Sequence, residues 1–218
     1  MTRENQTSQT SRLVRKLVIP ALIGGVAGFA ASAGMMLFIN SETVGGLGLS
    51  TSIAALVAVL YGVIALGILF GTANPALGAR FLNVEDADEL REQKRMMVWS
   101  GTAMLLWAAA LLALALSGPD GPLPQTAALV IGAVGLLGGT VLSVLVYRAC
   151  DELMLAVNLE ASAISFTLVL VVIGLWAMLA HLGFAQGPAP IDLLSLFYVL
   201  MLVASFIAVG RRGMLAIR

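Results

Sequence analysis

The sequence predicts an all-α, polytopic integral membrane protein with six transmembrane helices folded as three antiparallel hairpins. Of its 218 residues, 60% are hydrophobic and only 11% are charged, and the mean hydropathy is +0.99. A soluble domain is roughly 45 to 50% apolar and about 25% charged, so a water-soluble globule is excluded. The apolar residues are gathered into six runs, uncharged except for Asp192 at the start of the last, each near the roughly 20 residues that span a hydrocarbon core about 30 Å thick. All 12 basic residues fall on one side of those runs.

The runs cover 17–39, 50–73, 97–117, 126–147, 161–183 and 191–210. In lipid a segment must satisfy its own backbone hydrogen bonds, and runs of this length without strict alternation do so only as α-helices. The chain then divides into a tail, 1–16, a six-helix domain, 17–210, and a second tail, 211–218. Six spans use about 120 residues and leave no room for a separate soluble domain.

The first run follows Arg15-Lys16 and contains Ala31-Ser32-Ala33, which has the form of a signal-peptide cleavage site. It continues through Met35, Met36, Leu37, Phe38 and Ile39, which is too long for a signal core and right for a span. The second run is joined to it by a loop holding Gly45, Gly46 and Gly48. Gly118-Pro119-Asp120-Gly121-Pro122 joins the third to the fourth, and Gly187-Pro188-Ala189-Pro190 joins the fifth to the sixth. Loops this short join antiparallel neighbours. A faint echo of duplication accompanies the hairpins: Asp88-Glu89-Leu90 precedes the third run and Asp151-Glu152-Leu153 the fifth.

Orientation follows from Lys and Arg. Arg3, Arg12, Arg15 and Lys16 precede the first run; Arg80, Arg91, Lys94 and Arg95 lie between the second and third. Arg148 lies between the fourth and fifth, and Arg211, Arg212 and Arg218 follow the sixth. By the positive-inside rule this side faces the cytoplasm. The expected location is a bacterial inner membrane with both termini cytoplasmic.

Two polar segments stand out on that side. Residues 85–95 order their charges with carboxylates first and bases last, which suits a helix dipole. Asp86 and Glu89 have capping-box spacing, and Asp88 with Arg91 and Glu92 with Arg95 are spaced to pair. The segment is expected to extend the third helix into water or to offer a docking surface. The second segment holds Arg148, Asp151, Glu152, Asn158 and Glu160. Arg148 and Glu152 stand four apart and pair if the helix continues. Asn158 and Glu160 fall where the fifth helix enters the bilayer, and an ionisable group at that depth needs a partner or a cavity. Arg211, Arg212, Arg15 and Lys16 are the partners available; the choice lies between an ion-pair clamp and a substrate or proton site.

Elsewhere the signals are structural. Gly24 with Gly28, Gly67 with Gly71 and Gly135 with Gly139 have the spacing that lets helix backbones approach within a bundle or between copies. The hydroxyls inside the spans, among them Ser32, Thr102, Thr140, Ser143, Ser165 and Thr167, can bond to their own backbone. Charge is absent from the span centres, which argues against a proton relay or ion pump. Cys150 is the lone cysteine and His181 the lone histidine; neither builds a metal site. No nucleotide, metalloprotease, hydrolase or haem motif occurs. No cofactor, catalytic residue or nucleic-acid partner is expected. The expected function is a non-catalytic accessory, scaffold or sensor module docking another membrane or cytoplasmic protein through its cytoplasmic loops. The alternative is a small-solute transporter or channel. The bilayer is the expected partner, and a homo-oligomer fits either function.

Overall fold

The computed structural model describes residues 19–41, 44, 46–78, 87–117 and 121–214. Among them are eight helices: α1 (Ile19–Ile39), α2 (Leu49–Ala73), α3 (Pro75–Gly78), α4 (Ala87–Glu92), α5 (Lys94–Ala115), α6 (Gln125–Ala149), α7 (Glu152–His181) and α8 (Pro190–Arg211). No strand occurs among the described residues. All but α3 and α4 are long and apolar enough to cross a membrane, six in all, so the chain is a multi-pass, all-α membrane protein. The consecutive pairs α1–α2, α5–α6 and α7–α8 are each in contact, which is compatible with three hairpins.

α5 is the organising helix, packing most extensively on α6 and on α2. Small residues make this possible. A Cβ on Gly135 of α6 would lie 2.5 Å from the Leu106 carbonyl oxygen and 2.9 Å from the Ala110 Cβ, and one on Gly139 would run into the Trp107 indole. On the other side, a Cβ on Gly101 of α5 would meet Leu69 of α2 at 2.9 Å. With no hydrophobic effect between helices in lipid, such close approach supplies the dispersion contacts that hold them.

The main core joins Ala54, Ala55, Ala58 and Tyr61 of α2 to Ala108, Leu111 and Ala115 of α5, with Tyr198 of α8 closing one side. Ile39, at the end of α1, joins the same cluster. α7 packs on α8 and on no other helix to a comparable extent. Its faces are correspondingly open, with Phe166 and Leu170 among the exposed residues.

Two helix starts differ from the sequence expectation. α7 begins at Glu152 instead of 161, because Asp151 caps it: the Asp151 carboxylate accepts from the Met154 N–H at 2.7 Å. At 30 residues it is about 45 Å long, more than the thickness of a bilayer core. The charged segment 85–95 does not run straight into the third span. Gln93 interrupts it, at φ −85 and ψ 2, and α4 turns so that Leu90 is fully buried.

Helix ends follow ordinary chemistry. Gly183 after α7 and Gly213 after α8 have φ of 79 and 67, the left-handed conformation open to glycine. In each case the next residue donates back across the last turn, Phe184 to Leu179 and Met214 to Val209, a Schellman closure. The α7–α8 loop is tied down by Trp176, whose indole N–H donates to the Gln186 carbonyl at 2.8 Å. At the start of α8, Asp192 accepts from the Ala189 N–H.

Candidate functional site

The polar side chains gather at the end of the bundle that carries Arg95, Arg148, Arg211 and Arg212, here called the basic end. Glu160 lies about two turns into α7 and is held by both arginines that end α8. Arg212 Nε donates to Glu160 Oε2 at 2.8 Å, and Arg211 Nη1 stands 3.3 Å from Glu160 Oε1. The Glu160 side chain is 23% exposed and that of Arg211 67%, so the clamp sits at a boundary, half in protein and half in solvent. Beneath it Val157 and Ala161 of α7 pack on Ala208 of α8, and the ion pair and this small apolar contact fix the crossing together.

On another face of α7 the same end carries a neutral polar network. Tyr147 of α6 and Ser162 of α7 are hydrogen-bonded at 2.7 Å. Ser162 itself donates to the Asn158 carbonyl at 2.8 Å, so the tyrosine hydroxyl is the donor between them. The Asn158 amide nitrogen donates to the Met154 carbonyl at 2.9 Å and reaches the Cys150 sulfur at 3.6 Å. Cys150 in turn lies 3.7 Å from the Met96 sulfur of α5. Burial pushes the Cys150 thiol above its ordinary range, the Asn158 hydrogen bond opposes the rise, and the nearby Asp151 carboxylate adds to it. A thiol in this state is a poor nucleophile at neutral pH.

Next to this network is a cleft of about 310 Å³ between the end of α6 and the α7–α8 hairpin. Asn158, Ser162, Ser165, Ser205 and Tyr147 form its polar wall. A second cavity, about 230 Å³, lies between α5, α6 and α8 and is apolar apart from Tyr198.

The remaining sequence candidates are dispersed. Asp88 and Arg91 pair with each other on α4, both exposed. Glu92 is exposed, and Arg95, its expected partner, lies instead over the Trp99 ring, 4.2 Å from its centroid; the break at Gln93 separates the two. Asp86, and with it the expected capping box, lies outside the described residues, and Glu89 is described only in its backbone. Arg148 and Glu152 are exposed and have no ion pair between them, because Cys150 is extended (φ −69, ψ 144) and stops α6 before α7 begins. The two Asp-Glu-Leu triplets have different surroundings: Leu90 is buried and Leu153 is 52% exposed.

The glycine pairs also separate. Gly135 and Gly139 seat α6 on α5, whereas a Cβ on Gly24, Gly28 or Gly67 would meet nothing within 4 Å. At Gly71 the close approach depends on Gly78 of α3, where a Cβ would run into the Gly71 backbone, so the missing side chain that admits this short helix is that of Gly78. His181 is exposed, and no group of three or more His, Cys, Asp or Glu able to hold a metal occurs among the described residues.

Sequence reasoning missed one constellation. Tyr61 of α2 donates its hydroxyl to the Tyr198 carbonyl of α8 at 2.6 Å, and Tyr198 donates to the Trp107 carbonyl of α5 at 3.4 Å. The rings of Tyr61 and Tyr198 meet edge to face at 5.1 Å. The available signal was a tyrosine in the interior of each run, since a buried phenol needs a hydrogen-bond acceptor. Compared with protein-family models, curated proteins and solved structures, the chain significantly matches none.

Proposed function

We propose that this chain is a non-catalytic protein of a bacterial inner membrane, with both termini in the cytoplasm, that serves as an accessory, scaffold or sensor module. It docks a partner protein through the cytoplasmic surface formed by α4 and the α6–α7 junction. The observation that carries this reading is the contrast between two sets of charges. Glu160, the carboxylate set into the interface, is engaged by Arg211 and Arg212. Glu92, Arg148 and Glu152, together with the Asp88–Arg91 pair and the Asp151 cap, are exposed and present charge at the surface, where complementary charge on a partner sets specificity and encounter rate.

The test is purification in mild detergent from the membranes in which the chain is expressed, with mass spectrometry of what remains bound. The comparison variant carries Asp88→Asn, Glu92→Gln, Arg148→Gln and Glu152→Gln. Asp151 is left intact because it caps α7. A partner retained by the parent chain and lost by the variant, with yield unchanged, is the expected result. Identical, partner-free preparations of both would overturn the docking reading.

A second reading, a small-solute transporter or channel, draws on one observation, the polar-walled cleft beside Asn158. It requires solute uptake in proteoliposomes that falls on Asn158→Leu.

A further inference from the structure

The cleft between α6 and the α7–α8 hairpin has a polarity gradient along its length. On α7 its wall is Asn158, Ser162, Ser165 and Val169, at helical spacings of four, three and four that bring them to one face. From Asn158 to Val169 the helix climbs about 16 Å. The basic end of this wall is amide and hydroxyl, joined there by Tyr147 of α6, and the deeper end is Phe166 and Val169 with Met201 of α8. Ser205 of α8 lies on the shallower side of Met201, because α8 runs antiparallel to α7. Both walls therefore change from polar to apolar in the same direction, from the interface towards the bilayer centre.

Two polar groups on this wall are not satisfied by the protein. Ser162 and Ser205 return their hydroxyl protons to carbonyls of their own helices, but Ser165 has no hydrogen-bond partner among the described residues. The Asn158 side chain uses its nitrogen twice as a donor, and its carbonyl oxygen accepts from nothing. A free donor and a free acceptor about 10 Å apart along a membrane helix are costly unless something polar lies between them. No carboxylate, lysine, arginine or histidine lines the cleft, so that occupant carries no net charge for the protein to neutralise. Its volume, about 310 Å³, equals the liquid share of about ten waters. That is room for a glycerol-sized headgroup and the first part of a chain.

We infer that this cleft binds an uncharged, hydroxyl-bearing lipid, with its headgroup between Asn158 and Ser165 and its chain running past Phe166, Val169 and Met201. The site opens sideways to the bilayer, because α7 makes its extensive contacts with α8 and not with α6. It uses residues set within the membrane and stands apart from the docking surface on α4 and the α6–α7 junction.

The test uses the full chain in nanodiscs and a monoacylglycerol carrying a diazirine near the ester end of its chain. Photolysis is expected to place adducts on Phe166, Val169 or Met201, with unlabelled monoacylglycerol competing. Ser165→Ala breaks no bond within the chain and is expected to lower labelling about threefold to tenfold, the weight of one neutral hydrogen bond. Val169→Trp, which fills the deep end, is expected to abolish it. Ser195→Ala, in a buried serine of α8 outside the cleft, is expected to leave it unchanged. Adducts scattered over the exposed faces of α1 and α6, or equal labelling of Ser165→Ala and the parent chain, would overturn the proposal. Free glycerol competing as well as monoacylglycerol at the same concentration would overturn the lipid as occupant.

Discussion

The α5–α6 pair and the α7–α8 pair are both built from helices apolar enough to cross a membrane yet are held in different ways. In the first, backbone lies on backbone: Gly135 and Gly139 sit against Leu106, Trp107 and Ala110 with no space for a Cβ. In the second, α7 is bound along α8 by Val157, Ala161 and Ala208 and by the Glu160 clamp, while most of its surface is open. In lipid, apolar surface gains little by leaving its solvent, so stability concentrates where atoms are densest or where polar groups find partners. The first hairpin uses density, and the second uses polar pairing.

Gly135→Leu attacks the density directly. The new side chain meets a backbone carbonyl, which cannot rotate away, so α5 and α6 must separate along several turns. The expected cost is about 3 kcal/mol, the upper part of the range for overpacking. For a chain of this size that lowers Tm by roughly 6 to 12 °C, as read by thermal unfolding in detergent. A change of under 2 °C would mean that the α5–α6 contact is not the tight interface described, and the comparison would fail.

Glu160→Gln tests the polar pairing and is expected to do less. The clamp is part exposed, Arg211 more so than Glu160, and solvent screens what remains. About 1 kcal/mol is expected, or a Tm loss of roughly 2 to 4 °C. The diagnostic is salt: raising ionic strength should narrow the gap between parent and variant, because it weakens the clamp in the parent alone. A gap that is independent of salt would assign the stability of this crossing to Val157, Ala161 and Ala208 instead.

What was legible in the sequence follows the same division. The six spans could be read because the bilayer imposes a length and an apolar composition on each, independent of how helices pack. For Glu160 the sequence offered Arg211 and Arg212 beside Arg15 and Lys16, since an ionisable group at that position has few partners in reach; the structure pairs it with the first two. The apolar run beginning at 161 did not mark the start of α7, because a span and a helix are different things: Asp151 caps the helix well before Glu160 is passed and the uncharged run begins. The Tyr61–Tyr198 bond left only one trace, a tyrosine inside each run, because the pairing depends on which faces of α2 and α8 meet and nothing local encodes that. The cleft at Asn158 was half visible, with Asn158 flagged by its depth and Ser165 taken for one more hydroxyl bonded to its own helix.

Glycine spacing gives the sharpest case, and the smallest predicted effect. Gly24 and Gly28 carry the same four-residue spacing as Gly135 and Gly139, yet a Cβ on either would meet nothing within 4 Å. Spacing licenses close approach without saying that anything approaches. Gly28→Leu is therefore expected to shift stability by no more than about 0.5 kcal/mol, as for any substitution on a face without neighbours. Leu is a better helix former than Gly, but a span in lipid is helical in its unpacked state as well, so little of that preference reaches the folding equilibrium. The measurement is Tm with size-exclusion chromatography on the same sample. An unchanged Tm and elution volume would leave α1 as a lipid-facing helix held to α2 and, through Ile39, to the core. A fall in Tm accompanied by a smaller particle would mean that a second copy of the chain covers Gly24 and Gly28. The two glycine pairs would then differ in what they pack against, one within the chain and one between chains, and not in whether they pack.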